Sequence, residues 1–374
     1  MSFGFRSLID GAKKFAINGA NSSSAPITEL FAKADPSIDG DDCSHDCSSC
    51  TIHYPRNFKI DHDDRLYGFV KGWSTHMIVA TGKTDWVRDV ADEKGSVMQA
   101  VNAASSPTNG RMMLSASNIP TPNHSSNYAD PTRVLLLPAF VVVDHVTPAL
   151  VPSVLKNLVN KSPTNATPLI ASPSLPSSLP APLTYHHSPH SVVVLLCSQK
   201  TRDARCGQSA PLIRKELERH LRPLGLFRDL DDERPGGVGI YFISHVGGHK
   251  YSANMMVYRR PDAFGIDAVK RGSLTDAEQD ALPARIKAVT PAVLRGAKAK
   301  SAGDDSEPVA EDEANGDGAL NTSAAGASQC IWLARVTPED CENIVKYTIL
   351  QGKVVKPESQ LRGGFDREKG LLSW

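Results

Sequence analysis

Three low-complexity stretches decide where this chain can build a core. Residues 104–130 are rich in Ser, Asn and Pro, with room for a short strand at 111–115. Residues 162–189 pack Pro, Ser and Ala densely, with Pro173, Pro176, Pro180 and Pro182, and read as a linker. Residues 297–329 are rich in Ala, Gly, Asp and Glu and hold no aromatic residue, the composition of a disordered insertion. The layout expected is therefore a flexible extension at 1–39, an α/β domain at 40–160 and a linker at 161–190. A second α/β domain at 191–357, interrupted by the insertion, and a tail at 358–374 follow.

The two blocks resemble each other. In the first, the apolar run 134–143 leads to Val146-Thr147-Pro148 and a helical pattern through Leu155 and Leu158. In the second, the run 331–334 leads to Val336-Thr337-Pro338, then Ile344, Val345, Ile349 and Leu350. Thr as N-cap with Pro at the first helical position starts a helix well, because the missing N–H costs nothing there. Each block also opens with a β-like run, 76–80 and 192–196, that enters a polar loop carrying Lys83-Thr84 or Lys200-Thr201. A tandem repeat of α/β units is expected. In the second block the pattern predicts a strand at 192–196, a helix at 210–224 and strands at 238–244 and 254–259, paired as a hairpin. A helix at 275–288, a strand at 331–334 and a last helix follow. That order is compatible with a thioredoxin-like sheet.

Charge and length narrow the function. Lys plus Arg and Asp plus Glu both number 41 in 374 residues, so nothing favours nucleic acid or an anionic membrane as partner. No apolar run reaches the roughly 20 residues that span a bilayer. Phe3, Phe5, Leu8 and Phe15 interleave with Arg6, Lys13 and Lys14 ahead of Ser22, Ser23 and Ser24, a loose likeness to a mitochondrial presequence that Asp10 weakens. A cytoplasmic location is expected, with the mitochondrial matrix as the alternative. Seven Cys in a chain with no secretory signal favour a reducing compartment, where clustered Cys serve as metal ligands or catalytic groups.

Two Cys and two His stand at strand ends. The first strand of the second block runs into Cys197, and Cys206-Gly207 follows after a polar loop; a later strand runs into His245-Val246-Gly247-Gly248-His249-Lys250. The paired Gly argues against a helix carrying both His and lets the backbone fold tightly enough for two imidazoles to face one centre. Thiolates with imidazoles suit zinc, copper or an iron–sulfur cluster. Structural zinc sites space their Cys two to four residues apart, so the longer Cys197–Cys206 loop fits the wider two-iron cluster better. Two thiolates on one iron and two imidazoles on the other would be a Rieske-like ligand set, in which electron uptake draws a proton to imidazole. A zinc-stabilised binding module and a dithiol oxidoreductase using Cys197 and Cys206 are the competing readings.

The residues around these ligands resemble a known family. Arg202-Asp203-Ala204-Arg205-Cys206-Gly207, with Ala210-Pro211-Leu212 beyond, is similar to the cluster loop of the sucrase/ferredoxin-like family. His245-Val246-Gly247-Gly248-His249-Lys250-Tyr251 resembles its His-x-Gly-Gly-His segment, and Thr81-Gly82-Lys83-Thr84-Asp85-Trp86 fits it too. The likeness spans most of residues 40–364 and is strongest to the fungal actin-patches-distal type. It implies two thioredoxin-like blocks, the first degenerate and the second a thioredoxin-like ferredoxin domain. It further implies one [2Fe–2S] cluster on Cys197, Cys206, His245 and His249, in an electron carrier rather than an enzyme. Ser198-Gln199 departs from the Gly-His common after the first Cys in the family.

Cys43, Cys47 and Cys50 match the spacing of a radical S-adenosylmethionine cluster, but they sit in an acidic segment without the barrel pattern, and His45 nearby makes zinc the alternative. Cys330 and Cys341 are expected in the core. There is no Gly-x-Ser-x-Gly elbow, Walker A or dinucleotide fingerprint. Leu372-Ser373-Trp374 resembles the C-terminal tripeptide by which the cytosolic iron–sulfur assembly targeting complex recognises clients. An exposed Trp beside a free carboxylate suits a pocket that is apolar at one end and charged at the other. The donor and acceptor of the electron stay unassigned.

Overall fold

The computed structural model of the chain describes residues 24–169, 174–264 and 326–374. The helix expected at 275–288, residues 1–23 and all but the end of the expected insertion lie outside the described residues. Twelve strands form one mixed sheet. The first half holds β1 (Thr75–Ala80), β2 (Met112–Ser117), β3 (Thr132–Leu137), β4 (Val141–Val146) and β5 (Thr184–His187). The second holds β6 (Val192–Cys197), β7 (Phe227–Arg228), β8 (Val238–Ile243), β9 (Met255–Arg259), β10 (Gln329–Leu333), β11 (Leu361–Asp366) and β12 (Leu371–Leu372). The sheet order is β12-β11-β10-β9-β6-β8-β2-β1-β3-β4-β5, with β7 beside β8. β6 and β8 are buried along their whole length, which is why both read as continuous apolar runs.

The repeat is architectural. In the first half β1 pairs β2 in parallel, β3 pairs β1 antiparallel and β4 pairs β3 antiparallel, with α1 (Val97–Ala103) after β1 and α2 (Val151–Asn157) after β4. In the second half β6 pairs β8 in parallel, β9 pairs β6 antiparallel and β10 pairs β9 antiparallel. Here α3 (Ala204–Leu221) follows β6, and a helical segment, Cys341–Asn343 running into the π-helical Ile344–Ile349, follows β10. Both halves therefore follow one thioredoxin-like α/β plan.

The halves meet at a short antiparallel joint between β2 and β8, where Ser117 faces Ile243. Side chains reinforce it: Ser117 Oγ donates to the Phe242 carbonyl at 2.9 Å, and Asn118 Oδ1 accepts from Phe242 N–H at 2.7 Å. β7 occupies the opposite end of β8, which keeps the joint short. The sheet folds at this joint. β1 and β9 lie four strands apart in the order, about 19 Å in a flat sheet, yet His76 on β1 hydrogen-bonds Tyr258 on β9 at 3.1 Å. One core, with Trp73, Ile78 and Leu135 against Val193, Tyr258 and Trp332, fills the space between the folded faces. Two outer cores sit under the helices, one with Leu155 and Leu158 and the other with Ile213, Leu217 and Ile344.

Several expectations change. The run 134–143 is two strands, because Pro138 has no N–H to donate and Phe140 turns the chain at φ 54°. The strands at 238–244 and 254–259 do not form a hairpin; they flank β6 on opposite sides. Thr337 caps its helix through a capping box with Asp340, while Thr147 makes no side-chain cap bond, since Leu150 stands where Asp340 does. Within the stretch expected to link the blocks, β5 pairs β4; within the expected tail, β11 pairs β10 and β12 pairs β11. Cys330 and Cys341 are fully buried, as expected. Among the described residues no helix is long and apolar enough to cross a membrane.

Burial lowers the pKa of His76 from 6.5 to about 3 and that of His190 to about 4. Both stay neutral in the folded chain, whereas the unfolded chain protonates them below pH 6.5. Their contribution is complete above pH 6.5 and is lost as pH falls toward 4 and then 3. Urea unfolding free energies are expected to drop by about 1.4 kcal/mol per pH unit per histidine in that window, and His76→Gln should remove one proton from that dependence.

Candidate metal centre

Cys197 is the last residue of β6 and lies in register with Ile243, the last of β8. The loops leaving the two strands therefore start side by side. After Cys197 the chain reaches Asp203, whose side chain caps α3 by accepting from Arg205 N–H at 2.9 Å. The helix thus begins at Ala204 instead of 210, and Cys206 sits in its first turn, not in a loop. Asp203, a residue type that caps helices well, is the start signal that the expected range passes over. After β8, Gly247 and Gly248 adopt φ of 89° and 69°, which bends the chain so that a short turn, His249–Tyr251, follows.

These loops bring three of the expected ligands together. Cys197 Sγ, Cys206 Sγ and a His245 ring nitrogen all lie within 4.8 Å of one another, and Cys197 Sγ is 3.9 Å from His245 Nδ1. The His249 ring stands 5.3 Å from that of His245. Its Nδ1 is buried without a hydrogen-bond partner, while Nε2 points to Asp203 Oδ2 at 3.8 Å. His249 stands outside the group of three, and its orphaned, buried Nδ1 is the kind of atom that native structures rarely leave without a partner. Cys206 ionises well below the usual thiol range because the Cys197 thiol donates to it, with His245 and Ser252 adding support, and Cys197 correspondingly keeps its proton. The helix N-terminus also favours a Cys206 thiolate. Burial holds the His249 pKa below its ordinary value, so its imidazole is neutral and free to ligate.

The shell around the site was only partly legible. Gln199, 1% exposed, accepts from His245 N–H at 2.8 Å and donates to the Val87 carbonyl at 2.6 Å. Ser198 Oγ donates to the Thr84 carbonyl at 2.9 Å, and Thr201 binds Asp85. The pair that departs from the family pattern therefore ties the site to the first half. Arg362 was missed altogether: it donates to the Gly247 carbonyl at 3.0 Å and to Asn254 Oδ1 at 2.9 Å while stacking on Trp332. Its position on β11, 115 residues from Gly247, leaves no local signal. Lys250 pairs with Asp61 at 3.2 Å and with Asp64, and anchors the loop's far side. Arg205 is held by Asp203 through two bonds of 2.9 and 2.8 Å.

The other sequence signals settle differently. Cys43 packs with Ala34 and Tyr347, and Cys50 donates to the Ile52 carbonyl at 3.1 Å. Among the described residues the ligand atom close to Cys47 is not another Cys; it comes from His220 or Glu342. At the C-terminus Leu372 pairs with Phe365, Ser373 Oγ accepts from Gly364 N–H at 2.9 Å, and the Trp374 ring stacks on Trp73 at 4.3 Å.

A family model described as sucrase/ferredoxin-like matches residues 66–363. The chain belongs to the sucrase/ferredoxin-like family. The match takes in both halves, with the Cys197, Cys206, His245 and His249 positions inside it. Actin patches distal protein 1 of Saccharomyces cerevisiae is 28% identical over 266 residues, covering 67% of this chain and 82% of the relative. Altered inheritance of mitochondria protein 32 matches over shorter stretches. The Clavispora lusitaniae protein is 39% identical over 71 residues (19% of this chain, 22% of the relative), and the Debaryomyces hansenii protein 35% over 66 residues (18% and 20%). No solved structure matches the chain.

The two glycines of the family's His segment separate cleanly by substitution. Gly247→Ala meets open space and is expected to cost about 1–2 kcal/mol for the left-handed backbone alone. A Cβ at Gly248 would lie 2.8 Å from the Arg362 guanidinium, so Gly248→Ala should cost more. Chemical denaturation of both variants checks the order.

Proposed function

We propose that this protein is an electron carrier holding one [2Fe–2S] cluster, with Cys197 and Cys206 on one iron and His245 and His249 on the other. The observation that carries the reading is the approach of two Cys sulfurs and a His245 nitrogen to within 4.8 Å of one another, where the parallel strands β6 and β8 end and α3 begins. The unpartnered Nδ1 of His249 supplies the fourth donor. When bound, such a cluster supplies a one-electron couple whose potential is raised where imidazole replaces thiolate.

The chain's own residues do the rest. Cys206 presents a thiolate at a helix N-terminus, and the 0–1% exposure of both Cys keeps water from the sulfurs. If Nδ1 of His249 ligates, its Nε2 faces Asp203 and is the ring position that would lose a proton on oxidation and regain it on reduction. Arg205 holds the Asp203 carboxyl below the usual range, so it remains ionised, with its Oδ2 3.8 Å from that nitrogen. A proton can then accompany the electron at His249 Nε2. Gln199 fixes the backbone at His245 and Arg362 fixes it at Gly247, between the two His, and both limit reorganisation when charge changes.

Delivery of the cluster is inferred from the C-terminus. The Leu372-Ser373-Trp374 tripeptide suits capture by the cytosolic iron–sulfur assembly targeting complex, in keeping with a cytoplasmic location, and capture requires Trp374 to leave its stack on Trp73.

Anaerobically purified protein is expected to contain iron and acid-labile sulfide in equal amounts, with visible sulfide-to-iron bands bleached by dithionite. Cys197→Ser or Cys206→Ser should lose the colour, and His249→Ala should shift the bands. A colourless protein with stoichiometric zinc at these residues contradicts the reading, as does disulfide reductase activity that survives loss of both His.

A further inference from the structure

Cys47, the middle Cys of the N-terminal trio, is not used by the centre described above. Its Sγ, a ring nitrogen of His220 and a carboxylate oxygen of Glu342 all lie within 4.8 Å of one another. Three separate elements supply them. His220 is in the last turn of α3, Glu342 opens the helical segment after β10, and Cys47 belongs to the loop pinned there by its N–H donating to the Glu339 carbonyl at 3.0 Å. The place is remote from the iron–sulfur candidate: Cys206 and His220 are separated by about 21 Å of helix at about 1.5 Å per residue.

The polar atoms at this place are incompletely satisfied. His220 Nε2 is buried without a hydrogen-bond partner, and Glu216 Oε2 at 3.8 Å is beyond hydrogen-bond reach. Glu216 is itself 1% exposed, and its Oε1 is buried with no partner. Native interiors rarely leave such atoms unpaired. The two carboxylates, Glu216 and Glu342, are each met by one cation. Arg219 donates to Glu216 at 2.8 Å, to Cys47 Sγ at 3.4 Å and to Ser49 at 3.2 Å, and Lys346 donates to one oxygen of Glu342 at 2.6 Å. Ser49 Oγ also lies 3.3 Å from Cys47 Sγ. A divalent cation would satisfy the imidazole nitrogen, with Cys47 releasing its thiol proton as it binds.

We propose that Cys47, His220 and Glu342 bind a zinc ion that fastens the segment around Cys47 to the outer helices of the second half. One sulfur, one nitrogen and one oxygen donor suit this borderline-soft ion, and three protein ligands leave a fourth tetrahedral position to water. Calcium and magnesium would want an all-oxygen shell. The ligand set also explains why the Cys43, Cys47 and Cys50 spacing misleads: only Cys47 takes part, and its partners come from residues about 170 and 295 positions away, too far to show as a motif.

The full-length chain with its iron complement is the material for the test, because zinc and iron are counted separately by mass spectrometry of the dissolved metal. The expected result is one zinc per chain that survives gel filtration. Cys47→Ser combined with His220→Gln should lower retained zinc by at least about tenfold with iron unchanged, while Cys43→Ser and Cys50→Ser keep it. Chelating the zinc should speed hydrogen exchange in residues 41–50 and leave the visible bands in place. Should the double variant fold poorly, Glu342→Gln, on a partly exposed helix face, is expected to weaken zinc binding by itself. A wild-type chain that neither retains zinc nor takes up added zinc against a micromolar chromophoric chelator overturns the proposal. So does equal loss of zinc from the Cys43 and Cys50 variants, or full zinc retention in Glu342→Gln.

Discussion

Ser117 and Ile243 face each other where β2 meets β8, and both strands arrive there at their C-terminal ends. Because β1 pairs β2 and β6 pairs β8 in register, Ala80, Ser117, Ile243 and Cys197 form one row across the sheet. Four loops leave this row, beginning at Thr81, Asn118, Ser198 and Ser244, the last holding His245 to His249. Their meeting is a consequence of the joint. Had the halves paired through other edges, Gln199 would not reach the Val87 carbonyl, and the loop after Cys197 would lose its hold on the first half. The joint also folds the sheet so that Trp73, Tyr258 and Trp332 share one core. The first half, which contributes none of the four expected ligands, therefore acts as a wall of the site.

This arrangement explains why the sequence was readable in some places and opaque in others. The paired Val-Thr-Pro segments announced a repeat because each begins a helix after an antiparallel pair, a local event with local chemistry. Cys197, His245 and the two glycines were equally legible, since strand ends and left-handed turns leave marks within a few residues. Arg362 and Gln199 were not. Their roles depend on which strands become neighbours, and Arg362 reaches the His loop only because β11 extends the sheet beyond β10. The hairpin of β3 and β4 was hidden by its apolar continuity, with Pro138 its only break. The α3 start lies ahead of the expected one because Asp203 caps it, and the helix carries Pro211 inside it.

Physically the candidate centre is a buried pair of thiols beside a partly exposed pair of imidazoles. Burial and the helix N-terminus govern the thiol side, where one sulfur gives up its proton at the other's expense. Solvent access and the Asp203 carboxylate govern the imidazole side. The site thus has one dry thiol end and one partly exposed imidazole end. The same asymmetry accounts for the rigid backing: Arg362, Asn254 and Gln199 clamp the His loop through main-chain groups and leave the ring nitrogens free for other partners.

The central claim is that two imidazoles and two thiolates share a two-iron cluster. Pulsed electron paramagnetic resonance of the dithionite-reduced full-length protein tests it most directly, because nitrogen bonded to iron imprints its nuclear coupling on the electron spin. The account predicts two strongly coupled nitrogens, one lost in His245→Ala and the other in His249→Ala. A reduced protein with no strongly coupled nitrogen, or one whose couplings are untouched by both substitutions, would contradict it.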